Sequence, residues 1–347
     1  MAKFGKDVEW AASLLRSGKL VGIPTETVYG LAAHGLDEAA VAAIFEAKQR
    51  PHFDPLILHV PSASHAQHYV ATWPKTAQTL ADAFWPGPLT LVLPKKNTVP
   101  DLVTSAQPTV AIRVPNHPLT LQLLNLLDFP LAAPSANPFG YVSPTSAQHV
   151  LNQLENKIDY VLDGGPCEKG LESTIIDLST PIPTLLRLGS IPINEIEKVI
   201  GPIQIKVNQN SNPSAPGMLD QHYSPYCKLI PFQPLNSLNA EQPTQQSDQY
   251  TPVLSDILQQ FPAESIALLS YSSQDFQQFP LQWQSAIPHH FVLTNSHPDF
   301  AHAASNLFKT LRNFDEQQLK CVIFTWAPKE NLGLAINDRL QRAAAKR

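Results

Sequence analysis

Leu20-Val-Gly-Ile-Pro-Thr-Glu-Thr-Val-Tyr-Gly30 leads through a helix-like segment to Lys48-Gln-Arg-Pro51, and the chain returns as Asp54-Pro-Leu-Ile-Leu-His59. Leu20 to Ile23 is a short apolar run closed by Pro24, the pattern of a buried strand. Thr25, Glu26 and Thr27 then stand at a strand end, where ligands gather in open α/β sheets. Asp37 is placed to cap the helix, with Glu38 adding favourable charge to its first turn. Val41, Ile44 and Phe45 follow at helical spacing, and Lys48 falls next in phase, so it extends the apolar face. Pro51 disfavours helix at Arg50, which ends the helix there. Two cations thus flank a turn into a second apolar strand, Leu56 to Val60. Spacing alone leaves two readings open. Either these chain ends converge on an anionic ligand, or Lys48 and Arg50 are surface cations favoured by the helix dipole.

Strand and helix patterns alternate on either side. Val8 to Leu15 reads as an amphipathic helix with Gly18 in its C-terminal turn. Helix 38–48, strand 56–60, a helical stretch around 75–84 and strand Leu89 to Leu93 argue for an α/β domain with a twisted sheet. In Thr109-Val-Ala-Ile-Arg-Val-Pro115, alternation puts Thr109, Ala111 and Arg113 on one face. A charged side chain in an apolar strand needs an open cleft or a fixed carboxylate partner. Leu131-Ala-Ala-Pro-Ser-Ala-Asn137 ends a strand in small polar residues, which suits backbone approach to a ligand or a plain turn. Ser143-Pro144 is predicted to open a helix running to about Leu154, with Ser143 as N-cap, a place that favours an anion or is simply a cap. Tyr160 to Asp163, Ser173 to Leu178 and Thr184 to Gly189 read as further strands. Gly164-Gly165 marks a turn and is not by itself a phosphate loop.

At 347 residues, with 43% hydrophobic, 15% charged and 33 prolines, the chain reads as globular, turn-rich and two-domain. The net charge of −5 gives no support to strong nonspecific nucleic-acid binding. Three separated cysteines, Cys167, Cys227 and Cys321, form no zinc ribbon or thioredoxin-like motif. The N-terminus lacks the apolar region of a signal peptide and no apolar run is long enough to span a membrane, so a cytoplasmic protein with no membrane contact is expected. The predicted boundaries are an α/β domain over 1–205, a linker over 206–264 rich in Asn, Gln, Ser and Pro, and a small α/β domain over 265–347. That last domain is read from strands at Ile266 to Leu269, Phe291 to Leu293 and Cys321 to Phe324. An amphipathic helix from Phe300 to Leu311 lies between the latter two, and Leu334 to Ala345 reads as a terminal helix. No Gly-x-Gly-x-x-Gly loop accompanies these elements.

Pro24-Thr-Glu-Thr-Val-Tyr-Gly-Leu31, Lys48-x-Arg50-Pro51 and Asp54-Pro-Leu-Ile-x-His59 together closely resemble the threonylcarbamoyl-adenylate synthase family, also called YrdC-like. The resemblance implies an open, twisted, mixed sheet around a concave positive surface, plus the small Rossmann-like C-terminal domain of the longer members. It implies that L-threonine, bicarbonate and ATP, with magnesium, give threonylcarbamoyl-AMP and pyrophosphate. The adenylate then feeds modification of the adenosine beside the tRNA anticodon, completed by a separate tRNA threonylcarbamoyl transferase, with at most a weak tRNA contact here.

Carried over position by position, the resemblance places Thr27, His59, Arg113, Ala133 and Ser173 at threonine. It places Arg50, Asp54, Thr109, Ser135, Asn137, Ser143, Arg187 and Tyr223 at ATP, and gives Lys48 and Arg50 the catalytic work. It reads Ala215 to Pro225 as a lid over the active site. Two positions depart from the family pattern: Asp54 stands where asparagine is usual, and Ala215 where serine is. The competing reading is a duplex RNA-binding module of the same fold. A hydrogenase-maturation carbamoyltransferase, which carries a related domain, would need Cys-x-x-Cys zinc modules that this sequence lacks.

Overall fold

The computed structural model describes residues 2–207, 223–232, 254–295 and 297–345. The chain divides into two compact units, Met1–His222 and Tyr223–Arg347.

The first unit is built on eleven strands: β1 (Lys3–Gly5), β2 (Val21–Ile23), β3 (Gly30–His34), β4 (Ile57–His59), β5 (Leu89–Pro94), β6 (Thr109–Arg113), β7 (Leu131–Ala132), β8 (Tyr160–Leu162), β9 (Thr174–Asp177), β10 (Thr184–Arg187) and β11 (Gln204–Ile205). Their order across the sheet is β1-β8-β2-β3-β7-β4-β6-β5-β9-β10-β11, with parallel and antiparallel pairs mixed. This is the open mixed sheet expected from the sequence. Parallel pairing of β4 with β6 sets His59 beside Arg113, and antiparallel pairing of β4 with β7 sets His59 beside Leu131.

The helix Glu38–Lys48 forms where the spacing predicts it. Asp37 caps it, its carboxylate accepting from the amides of Ala39 and Ala40 at 2.9 and 3.3 Å. Val41, Ile44 and Phe45 pack into one core with Leu31, Ala33 and Leu58. Gln49 then takes a left-handed conformation, φ 53°, which stops the helix and turns Arg50 back towards the sheet.

One helix start differs from the expectation. The helix is Ala147–Leu154, capped by Ser146, whose hydroxyl accepts from the His149 amide. Ser143 is not the N-cap, because its hydroxyl donates to a Glu172 carboxylate oxygen at 2.6 Å. Three strands of this unit are additions to the reading, β1, β3 and β11. β3 is small-residue-rich and buried on both faces, so it carries no alternation.

The second unit carries a four-stranded parallel sheet, β12 (Lys228–Pro231), β13 (Ile266–Ser272), β14 (His289–Thr294) and β15 (Cys321–Phe324), in the order β12-β15-β13-β14. Helices Phe300–Glu316 and Gly333–Ala344 belong to it, the first with Ala303, Ala304, Leu307, Phe308 and Leu311 buried. β12 falls in the stretch read from composition as linker. Lys228-Leu-Ile-Pro231 is in fact a sheet strand, and the second compact unit begins at Tyr223, ahead of the expected 265. Positions 215–222 of the expected lid lie outside the described residues. No described helix is long and apolar enough to cross a membrane.

Candidate active site

The turn after β2 is held by Thr25. Its hydroxyl donates to the Val28 carbonyl at 2.6 Å and accepts from the Thr27 and Val28 amides at 3.2 Å. This local network presents Glu26 and Thr27 to Arg113 at the end of β6. Arg113 donates to the Thr27 hydroxyl at 3.0 Å and to the Gly87 carbonyl at 3.2 Å, and Glu26 Oε1 lies 2.7 Å from Arg113 Nη2. All three side chains are buried. The carboxylate alternative for Arg113 is therefore realised, and the carboxylate belongs to the same turn as Thr27. His59 sits in register beside Arg113. Burial, with help from the Arg113 charge, pushes its imidazole down to about 3, so it is neutral.

A second group of cations forms around the end of the helix Glu38–Lys48. Lys48 is 1% exposed, and its amine donates to the carbonyls of Ser135 and Asn137. Burial pulls that amine well below the ordinary lysine range; Arg50 adds to the effect and Asp54 opposes it. Arg50 donates to the carbonyls of Asp54 and Pro55 at 3.0 and 2.8 Å and pairs with the Asp54 carboxylate at 2.8 Å. Burial raises the Asp54 carboxyl, against the pull of Arg50, Lys48 and Arg187. Asn137 donates to the carbonyls of Pro138 and Tyr141, while its own carbonyl oxygen is buried and accepts no hydrogen bond. That oxygen is an acceptor held ready for a donor.

A third group joins β9 and β10. Arg187 donates to the Ser173 carbonyl from Nε and Nη2, at 3.1 and 2.9 Å, and to the Ser173 hydroxyl from Nη2 at 2.9 Å. The Ser173 and Thr90 hydroxyls are 2.7 Å apart.

The structure thus gathers Thr27, His59 and Arg113 in one cluster, Lys48, Arg50, Asp54, Ser135 and Asn137 in another, and Ser173 with Arg187 in a third. The Ala133 amide donates to the Ile57 carbonyl, which places Ala133 beside β4. Thr109 is half-buried and lies at the opposite end of β6 from Arg113. Tyr223 belongs to the second unit, its ring stacked on Phe308 at 5.3 Å with the Arg339 guanidinium 5.0 Å from it. Two carboxylates in this region are given no role by the sequence: Glu26, read only as standing at a strand end, lies beside Arg113, and Glu172 lies beside Ser143. Glu26 follows the end of β2 and Glu172 precedes the start of β9, and a charge close to an apolar strand end was the available signal.

Buried cations, neutral donors and small strand-end residues are the residue types that suit a polyanion and a carboxylate. The comparisons decide the family. The family described as telomere recombination matches residues 13–189, and that described as threonylcarbamoyl-AMP synthase, C-terminal domain, matches residues 191–345. This chain belongs to the threonylcarbamoyl-AMP synthase family. Its similarity to the threonylcarbamoyl-AMP synthase of Pyrococcus abyssi is 40% identity, covering 98% of this chain and 95% of that protein. For the Bacillus subtilis threonylcarbamoyl-AMP synthase the identity is 38%, over 97% of this chain and 92% of that one. The crystal structure of Pyrococcus abyssi Sua5 complexed with L-threonine superposes with a TM-score of 0.85 at 36% identity, covering 99% of this chain and 97% of that one. The match to that threonylcarbamoyl-AMP synthase family structure spans both units.

Proposed function

We propose that this chain is a threonylcarbamoyl-AMP synthase, joining L-threonine, bicarbonate and ATP to give threonylcarbamoyl-AMP and pyrophosphate. The observation that carries the reading is the set of four buried cations, Lys48, Arg50, Arg113 and Arg187, fixed at strand and helix ends by carbonyl and carboxylate partners. Cations hidden this way are poorly placed to touch the backbone of a duplex, which argues against a simple RNA-binding module. They are well placed for small anions enclosed away from water.

In this reading the fork of Arg113 holds the threonine carboxylate, with Thr27, His59, Ala133 and Ser173 around the rest of the amino acid. The threonine nitrogen is carboxylated, and the new carboxylate attacks the α-phosphorus of ATP as pyrophosphate leaves. Lys48, Arg50 and Arg187 then meet charge that builds on phosphate oxygens, the largest single source of rate in such chemistry. Asp54, Thr109, Ser135, Asn137 and Ser143 complete the proposed nucleotide contacts within the first unit. Arrival of the polyphosphate favours the protonated form of Lys48, whose burial otherwise opposes it.

Magnesium shields the phosphate charge of ATP. Among the described residues no three His, Cys, Asp or Glu side chains are grouped to hold a metal ion. In this reading the ion is carried in by ATP, with phosphate and water as its ligands. The product would pass to a separate transferase acting on tRNA, in the cytoplasm. The test is pyrophosphate release by the purified chain with magnesium–ATP. Release that requires both threonine and bicarbonate supports the reading, and a folded protein with no such release overturns it.

A further inference from the structure

Glu26 stands out among the buried groups that the proposed reaction leaves without a task. Its side chain is 3% exposed, and neither carboxylate oxygen accepts a hydrogen bond. Its one close polar contact is the 2.7 Å ion pair with Arg113. A carboxylate sealed from water in this state is costly unless a donor arrives. The backbone that carries it is also held in place. The Thr25 network fixes the turn on one side, and the Glu26 carbonyl accepts from the Lys169 amide at 2.7 Å on the other. Glu26 therefore flanks Arg113 together with Thr27, where the proposed reading puts a zwitterionic amino acid.

We propose that Glu26 binds the threonine ammonium and accepts its proton, releasing the amine for carboxylation. The inference rests on the synthase reading given above. It solves a chemical problem of that reading: an ammonium has no lone pair and cannot attack carbon. The Glu26 carboxylate takes one proton from the ammonium. The freed nitrogen lone pair forms the N–C bond with bicarbonate and the C–OH bond breaks. The hydroxyl leaves as water with a second proton from the same nitrogen. The product is the carbamate, and Glu26 returns its proton to solvent. One threonine zwitterion and one bicarbonate thus give one dianionic carbamate, one water and one proton, with no change of oxidation state.

The charged and titratable groups facing Glu26 are Arg113, His117 and Cys167. Burial holds the His117 imidazole below its ordinary value and pushes the Cys167 thiol up to about 12. Neither changes charge as the pH rises from neutral to weakly alkaline, so a profile over that interval reports on the amine.

The test compares the native chain with Glu26→Gln, which keeps shape and loses basicity. At neutral pH, kcat/KM for threonine in pyrophosphate release is expected to fall about 100-fold in the variant, the scale of a lost general base. The loss should shrink about tenfold per pH unit upward, as free amine in solution replaces what the base supplied. ATP binding should be unchanged. If Glu26 only holds Arg113, the variant's profile runs parallel to the native one, and that result overturns the proposal. A second measurement needs no variant. Calorimetry on the native chain should show 3-hydroxybutanoate, threonine without its amine, binding at least about tenfold more weakly than threonine. Equal binding of the two also overturns the proposal. A native chain that shows no threonine-dependent release at all would instead sink the synthase reading itself.

Discussion

Arg187 and Ser173 act as one unit: three hydrogen bonds of 2.9 to 3.1 Å run from the guanidinium to the carbonyl and hydroxyl of that single residue. In the proposed site, Arg187 serves the nucleotide and Ser173 the amino acid, so this contact couples the two substrates. The antiparallel pairing of β9 and β10 brings the residues together, with a register shift between Leu185 and Arg187 that brings Arg187 opposite Ile175. Gly189 closes the arrangement. A Cβ there would lie 2.3 Å from the Ser173 carbonyl carbon and the Thr174 nitrogen.

Gly189→Ala is therefore expected to force the two strand ends apart. Overpacking of backbone against backbone should cost about 3 kcal/mol and displace Arg187 from Ser173. Urea unfolding and threonine-dependent turnover on the same preparation check this. A variant of native stability and native turnover would show that the close approach is not needed.

Lys48→Met and Arg50→Ala are expected to keep the fold and lose turnover by about 100-fold or more, since each removes a fixed positive charge from the developing phosphate charge. Methionine follows the lysine stem through the same apolar surroundings, so the helix Glu38–Lys48 should remain intact. Circular dichroism with single-turnover kinetics separates the two effects.

Asp54→Asn should improve ATP use. The Asp54 carboxyl is raised by burial although three cations pull the other way, and an incoming polyphosphate meets it as an added negative charge. The expected outcome is a KM for ATP roughly threefold or more lower in the variant near neutral pH, with the advantage fading as acid protonates the native carboxyl. Kinetics at two pH values check it.

His59 makes a pH-dependent contribution to stability. Its folded-state value of about 3 lies below the ordinary 6.5, so between those values the unfolded chain binds the extra proton. Stability therefore falls as pH drops below 6.5, and His59 accounts for about 2 kcal/mol of that loss by pH 5. His59→Asn should unfold with a correspondingly smaller difference between pH 7 and pH 5 than the native chain, as urea titrations at both pH values would show.

Much of this architecture was legible in the sequence because it rests on local rules. Asp37, the 41, 44, 45, 48 spacing and Pro51 together specify one helix and its end, and the burial of Lys48 follows from its phase. The cap at Ser143 was misread because Ser-Pro and Ser-Ala both resemble helix starts, and only the long-range Glu172 partner makes Ser146 the cap. β12 was hidden by the Gln- and Pro-rich tract after it, since a strand of four residues shows its nature only through its partner, β15. The Glu26–Arg113 pair joins residues 87 positions apart, and no spacing rule connects them.

The most direct measurement is to supply ¹³C-bicarbonate with threonine and magnesium–ATP and read the nucleotide product by mass spectrometry. The account requires an adenylate carrying one threonine and one ¹³C, absent when threonine is withheld. AMP or ADP alone, formed at the same rate with and without threonine, would contradict it.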